Sequence, residues 1–576
     1  MNRTQRRAAQ KQTSSASPAA ELFQRALVLQ QQGDLAGAVI HLKKALAAEP
    51  SHALACDRLA ALYLAQGKRD KASAQYAELA RIAPQTLNRF DIVLATLKAL
   101  LPDFAAACDA IANGKPPQDA SHVTGDIAAD VYLRGVLENT VVRDWTFERW
   151  LTAVRASLLA AALDQAANPG GDVVAFSAAL ARQCYINEYV FAVSDDEAPR
   201  VAQLNISVGN ALDTGAAIAP MALAVLASYA PLHRLLGSDK LLTRKWPSAV
   251  EAVVTQQVRE PREEAALRET MPRLTPIADG VTAAVRQQYE ENPYPRWVRL
   301  PAPPPPMVLD ELIRYQFPSV PFRPLGKPSD ETCSLDVLIA GCGTGRIALD
   351  VAQSFAGANV LAVDLSLASL AAAKRKTPAA LKDRIEFAQA DIMSIGSIGR
   401  DFDYIGVGGV LHHMADPLGG WRELIKLMRP NGLMQVGLYS AYARREINEA
   451  RKLVAERGYP STLEGIRQAR QDMLAAPKHF NFMTLRDFFT TSEVRDLIFH
   501  VHEQQFTIPE LADFIAAHGL SFIGFEFSNQ AVHQHHRAVF AKNGWSLSDL
   551  ARWDAYERDN PDIFANMYVF WVQKAG

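Results

Sequence analysis

The chain has 576 residues, of which 49% are hydrophobic and 21% charged, with a formal net charge of −2; at ~100–200 residues per domain it holds several domains with substantial cores. The near-zero charge gives no global basic field, and no nucleic-acid partner is expected. No apolar run can span a bilayer, no hydrophobic signal core opens the chain, and five cysteines (Cys56, Cys108, Cys184, Cys333, Cys342) lack paired metal spacing, so free thiols, no metal site and a cytoplasmic location are expected.

Residues 1–18 contain Arg3, Arg6, Arg7 and Lys11 and no acid, which predicts a disordered basic tail. From Ala19 a repeat of period 34 emerges: Gly33 and Gly67, Ala38 and Ala72, and Pro50 and Pro84. Large residues match as well, Leu29 with Tyr63 and Leu42 with Tyr76. Small residues at helix crossings, large ones between them and a closing proline resemble tetratricopeptide (TPR) repeats. The resemblance implies helical hairpins over 19–113, the third of them off pattern. It also implies either a concave peptide-binding surface or a spacer or dimer contact. Gly114 to Ser121 is a linker by composition. Residues 122–280 show apolar spacing of three and four and read as a helical middle domain. Within it, Cys184 to Tyr189 is polar and aromatic. It reads either as a face toward a substrate or partner, or as a buried hydrogen-bonded helix face.

Residues 281–330 form a connector. Gln288 to Trp297 combines aromatics, an arginine and two prolines, and Pro301 to Pro306 holds five prolines in six residues. The second stretch predicts an extended polyproline spacer. The first is placed either to lie across a ligand mouth as a lid, with Tyr289 or Tyr294 against the ligand, or to cover a sheet edge as a packed linker.

Residues 331–576 carry the chemistry. Leu335 to Ala340 is an apolar run that predicts a strand buried on both faces. Gly341, Gly343 and Gly345 follow, then a helical pattern, then a second apolar run ending at Asp364. Glycines let the backbone turn sharply and a ligand approach it, and an acid about 20 positions on is placed for ribose hydroxyls. The dinucleotide fingerprint would put a third glycine where Arg346 stands. Gly-x-Gly-x-Gly resembles instead the nucleoside loop of class I S-adenosylmethionine (SAM) methyltransferases. That resemblance implies an α/β, Rossmann-like, seven-stranded sheet after the all-α half, with SAM as cofactor. It places Gly341, Gly343, Gly345, Asp364 and Leu365 at the cofactor, and Asp391 and Ile392 around the adenine. Asp403 to Met414 predicts the fourth strand and its exit, which puts Gly409, His412 and His413 beside the methyl group. Tyr439 ends the predicted fifth strand. Residues 441–507 are an insertion, rich in charge and helical in pattern, read as an acceptor-pocket wall or a dimer interface. A sixth strand over Ser521–Phe527 and a final antiparallel strand over Met567–Gln573 complete the expectation.

The implied reaction is methyl transfer, with His412, His413 and Tyr439 as candidate catalytic residues. A protein side chain such as lysine, presented by the helical domains, is one acceptor; a small metabolite, glycan or lipid is another. A non-catalytic TPR adaptor that senses SAM is the competing reading, and a homodimer is compatible with either.

Overall fold

The computed structural model describes residues 17–116, 126–164, 169–278, 280–301, 303–326, 334–476, 480–527, 529–565 and 567–576. The basic tail, except its last two residues, most of the 114–121 linker and Cys333 lie outside the described residues. The chain divides into two compact units, Met1–Tyr185 with Val193–Val254, and Ile186–Ala192 with Thr255–Gly576.

In the first unit the 34-residue period becomes helical hairpins: Pro18–Gln31 with Leu35–Ala48, and Ala53–Ala65 with Arg69–Ile82. Gly33 and Gly67 take φ of +83° and +70° in the turns, a conformation that costs glycine little. Ala38 and Ala72 are fully buried, because a larger side chain at a helix crossing would push the pair apart. Ser17 and Asp34 cap their helices by accepting from the Ala20 and Gly37 amides at 3.1 and 2.8 Å. A third pair, Phe90–Leu100 and Pro102–Ala112, follows. Longer helices come next, among them Trp145–Leu163 and Glu197–Thr214.

The second unit is built on a seven-stranded sheet: β1 (Leu335–Ala340), β2 (Ala358–Asp364), β3 (Ile385–Gln389), β4 (Phe402–Gly408), β5 (Met428–Leu438), β6 (Leu520–Phe525) and β7 (Tyr568–Lys574). Their spatial order is β3-β2-β1-β4-β5-β7-β6. The first five run parallel, and β7 is antiparallel to both β5 and β6. β1 is buried at five of its six positions and β4 at six of seven, as strands covered on both faces must be. The strand order reverses at β1, between β2 and β4, so the crevice at the carboxyl ends of these strands is the ligand position of such a sheet.

Three additions surround that crevice. Residues before β1 extend the sheet: the Leu274 amide donates to the Gln389 carbonyl and the Gln389 amide to the Pro272 carbonyl, at 2.9 and 2.8 Å. The helix Val281–Glu291 is pinned to the helix Leu367–Lys376 by Glu290, whose carboxylate accepts from the Leu367 and Ala368 amides at 2.7 and 3.2 Å. The insertion contributes the helices Arg445–Arg457, Leu463–Ala475 and Thr491–Ile498. It returns to the sheet by a parallel bridge between Ser440 and Phe506.

The Cys184–Tyr189 stretch resolves toward the buried, hydrogen-bonded account, with one change. The helix stops at Ile186, and Glu188 and Tyr189 take φ of +57° and +61°. Such strain at non-glycine residues persists only where the surroundings hold it. Here the Ser492 amide donates to the Glu188 carboxylate at 2.6 Å, and Arg296 pairs with it at 3.0 Å. The segment thereby caps the amino end of the helix Thr491–Ile498.

Candidate functional site

A cavity of about 360 Å³ opens at the carboxyl ends of β1, β2 and β4. One end is made of main chain and carboxylates. Gly343, at φ +51°, lies so close beneath the connector that an added Cβ would stand 2.3 Å from the Tyr294 carbonyl oxygen. That carbonyl accepts from the Thr344 amide at 3.1 Å, and the Trp297 indole donates to the Thr344 carbonyl at 3.0 Å. The loop and the connector are one built object. Gly341, at φ +72°, passes Val410 with no room for a side chain: a Cβ would meet Val410 Cγ2 at 2.2 Å. Gly345 is different. It does not line the cavity, and its missing Cβ would stand 2.6 Å from Ala373 Cβ, so it serves the packing of the loop on the helix Leu367–Lys376.

Asp364, at the tip of β2, lines the cavity and accepts from the Gly343 and Ser366 amides at 2.7 and 2.8 Å. Burial pushes its carboxyl up to about 6, against the pull of those two amides. Asp391, after β3, also lines the cavity and is almost fully buried. It accepts from the Ala278 and Met393 amides at 3.1 and 2.9 Å. A carboxylate has about four acceptor sites, so both side chains retain capacity for a ligand. Leu365, Ile392 and Gly409 line the same space, and no protein atom stands within 4 Å of where a Gly409 Cβ would be. Two acceptor carboxylates, apolar side chains and a main chain stripped of Cβ atoms fit a nucleoside: hydroxyls and an exocyclic amine donate, and the ring packs on apolar carbon.

The other end is made of side chains far apart in the sequence. Tyr289 and Tyr294, the connector residues singled out above, both line the cavity, with ring centroids 6.2 Å apart. His413 lines it too; His412 and Tyr439 do not. His412 is fully buried, with its ring 3.8 Å from that of Tyr439. Burial pushes its imidazole well below the ordinary range. Tyr439 lies under the Arg444 guanidinium at 3.8 Å, and its carbonyl accepts from the Phe506 amide at 2.9 Å. His413 Nδ1 donates to the His502 carbonyl at 2.9 Å, which leaves Nε2 as the basic nitrogen. Burial lowers the pKa of His413, and Asp496 opposes that fall.

Asp496 and His500, which the sequence reading did not single out, stand beside Tyr289 and His413. The Tyr289 hydroxyl donates to Asp496 Oδ1 at 2.7 Å and meets His500 Nε2 at 3.2 Å. His413, Asp496 and His500 place one ligand-capable atom each within 4.8 Å of one another, the composition of a metal site. Their geometry is unsuited to one. The two imidazoles stack 3.6 Å apart at 20°, so their in-plane lone pairs cannot converge on one ion. His500 Nδ1 accepts from the His502 amide at 3.1 Å, which puts the proton of the neutral ring on Nε2.

Comparison with known proteins agrees with this architecture. Residues 338–434 match the model of a methyltransferase domain, and residues 29–101 that of a tetratricopeptide repeat. The chain therefore carries a methyltransferase domain behind TPR repeats, the arrangement that the two resemblances imply. An uncharacterized protein of Synechococcus is 29% identical over 268 residues, 43% of this chain and 61% of that protein. A demethylmenaquinone methyltransferase of Clavibacter sepedonicus is 31% identical over 103 residues, 18% of this chain and 40% of that protein. The chain thus spans about three fifths and two fifths of these two relatives. Among solved structures, PKMT2 from Rickettsia typhi matches at 16% identity with a TM-score of 0.36, covering 48% of this chain and 55% of that one. Among the described residues no helix is long and apolar enough to cross a membrane.

Proposed function

We propose that the protein transfers the methyl group of SAM to an amine nitrogen, and that the acceptor is a lysine side chain of a protein. One observation carries the reading: Asp364 and Asp391 face one cavity at the strand-order reversal, beside a glycine loop with no space for side chains. Asp364 is placed to accept from ribose hydroxyls, and Asp391 to accept from the adenine amine beside Ile392. Once bound, the sulfonium supplies an already activated methyl group. The chain's own task is to orient the acceptor, keep water out and remove one proton. Tyr289 and Tyr294 wall the cavity, and His413 offers a neutral imidazole nitrogen.

The strength of that base favours nitrogen over oxygen. A lysine ammonium has an ordinary pKa of ~10.4 and an imidazolium ~6.5. Desolvation lowers the ammonium pKa, and at His413 the Asp496 charge opposes the same effect. An aliphatic hydroxyl, on the order of water's ~15.7, is far beyond a buried imidazole without a metal ion. A protein acceptor is supported by the TPR match, since stacked helical repeats present extended concave binding surfaces.

The test is direct. Calorimetric titration of SAM into the full chain should give micromolar or tighter binding. Incubation with methyl-labelled SAM and a cell lysate should then put label into protein, on nitrogen. Label confined to small molecules or lipid would refute the protein acceptor while leaving methyl transfer. Absence of SAM binding would favour an adaptor without catalysis.

A further inference from the structure

We propose that Asp496 is a positioning residue that makes His413 the proton acceptor of the reaction, with Tyr289 and His500 holding the Asp496 carboxylate in place; the proposal rests on the methyl-transfer reading above. Asp496 is 6% exposed. It sits on the helix Thr491–Ile498, all eight residues of which are buried although five are polar or charged. A buried carboxylate is costly unless something compensates it. Among the described residues no lysine or arginine lies within ion-pair distance of it, the Arg444 charge acting from farther off; its one partner at that distance is His413, with Nε2 4.0 Å from Oδ1. That neighbour completes an ion pair only when it is protonated.

The surrounding hydrogen bonds have one consistent set of directions. The His502 amide donates to His500 Nδ1, so His500 Nε2–H donates to the Tyr289 oxygen, and the Tyr289 hydroxyl donates to Asp496. The His502 carbonyl accepts from His413 Nδ1–H. A single residue therefore fixes the tautomers of both histidines through its own amide and carbonyl. The bare Nε2 of His413, on the cavity wall, is left facing the carboxylate across a gap. A proton arriving there meets a negative charge already held in place, which is how a preorganised site favours a charge that appears only during reaction.

Other charged and titratable groups around His413 are His412, Tyr439, His500, Glu503 and Arg444. Arg444 and Arg451 both pair with Glu503, at 2.5 and 3.5 Å, and the Arg444 charge also acts on Asp496; within ion-pair distance, among the described residues, the Asp496 carboxylate faces His413 alone. In the step itself an acceptor ammonium loses a proton to His413 Nε2, and its nitrogen lone pair forms the bond to the methyl carbon. The carbon–sulfur bond breaks with its electron pair returning to sulfur. The imidazolium then releases its proton to solvent, and a methylammonium and a neutral thioether leave.

The test compares Asp496→Asn with the wild-type full chain by proton-carbon NMR titration of the His413 ring, by calorimetry with SAM, and by turnover. In Asp496→Asn the His413 titration should move to lower pH, and kcat should fall roughly 10- to 100-fold. SAM affinity and the acceptor KM should stay within about twofold, and Asp496→Glu should recover part of the rate. An unmoved His413 titration, or a loss confined to KM, overturns the proposal. Should wild type fail to bind SAM, the methyl-transfer reading falls, and the titration still decides whether Asp496 acts on His413. Should Asp496→Asn fail to fold, Tyr289→Phe removes the hydroxyl that holds the carboxylate. A smaller displacement in the same direction supports the proposal, and an unmoved titration overturns it.

Discussion

The two ends of the cavity are built in opposite ways. The cofactor end is local. Gly341 and Gly343 follow directly on β1, Asp364 closes the next strand, and Asp391 follows the one after that. Amides close to the strand ends hold Asp364 and one oxygen of Asp391, while the Ala278 amide and the Tyr294 carbonyl, from the segment before the sheet, complete the support of Asp391 and of the glycine loop. The other end, proposed above to take the acceptor, is assembled from Tyr289 on the helix before the sheet, His413 at the exit of β4, and Asp496 and His500 from the insertion. A fold can reuse the first end unchanged and vary the second, which is the division expected when binding is general and acceptor choice is particular.

The sharpest way to separate the ends is to remove the base and keep the binding. His413→Gln retains a polar side chain of similar size and loses the imidazole. Loss of a positioned general base costs about 10²- to 10⁴-fold in rate. Turnover measured at saturating SAM should fall by that amount, with SAM affinity by calorimetry within about twofold. A parallel loss of affinity would mean that the two ends are not separable.

Asp364→Ala attacks the other end. Hydrogen bonds to a charged group contribute ~1.5–3 kcal/mol each, and a ribose offers two hydroxyls. A net loss of about 3 kcal/mol corresponds to SAM binding weaker by roughly 100-fold. The comparison is broken if the variant binds SAM as tightly as wild type.

A gentler probe of the same carboxylate is pH. Its pKa stands at about 6 because it is buried, and hydroxyl donors bind only the ionised form well. The ionised fraction falls from about nine tenths at pH 7 to about one tenth at pH 5. Apparent SAM affinity should therefore drop about tenfold as pH falls across that window, and Asp364→Asn should flatten the dependence. Burial lowers the pKa of His413 as it raises that of Asp364, so the two ends are shifted in opposite directions from their ordinary values.

This division also explains what could be read from the sequence. The sheet was legible because parallel buried strands are continuous apolar runs, and the glycine turn and its acids lie at short fixed spacings. The antiparallel last strand over Tyr568–Lys574 came within a residue of its expected limits. Asp496 was not legible. In sequence, TSEVRDLI is an ordinary amphipathic helix with a solvated polar face, inside an insertion rich in charge. Only the tertiary structure buries all of it and turns Asp496 toward Tyr289. The available signal was the run His500-Val501-His502 directly after that helix. Two histidines in alternation are unusual for a surface return, but nothing local ties them to Tyr289, more than 200 positions earlier.

Adjacent histidines give the smallest and most pointed comparison. His412 and His413 are equivalent by residue type and by their place at the end of β4, and both were candidates. Their surroundings differ. His413 reaches the cavity with one nitrogen fixed by a carbonyl, while His412 turns inward onto the Tyr439 ring. Burial lowers the pKa of both imidazoles, and what separates them is access to the cavity. His412→Gln should therefore leave turnover within about threefold of wild type. Its main effect should be on thermal stability, in the ~1–2 kcal/mol range typical of a core substitution that changes ring packing. A rate loss as large as that of His413→Gln, at unchanged stability, would assign proton transfer to the inner histidine instead. The methyl end of the cavity would then have to extend past the wall that His413 forms.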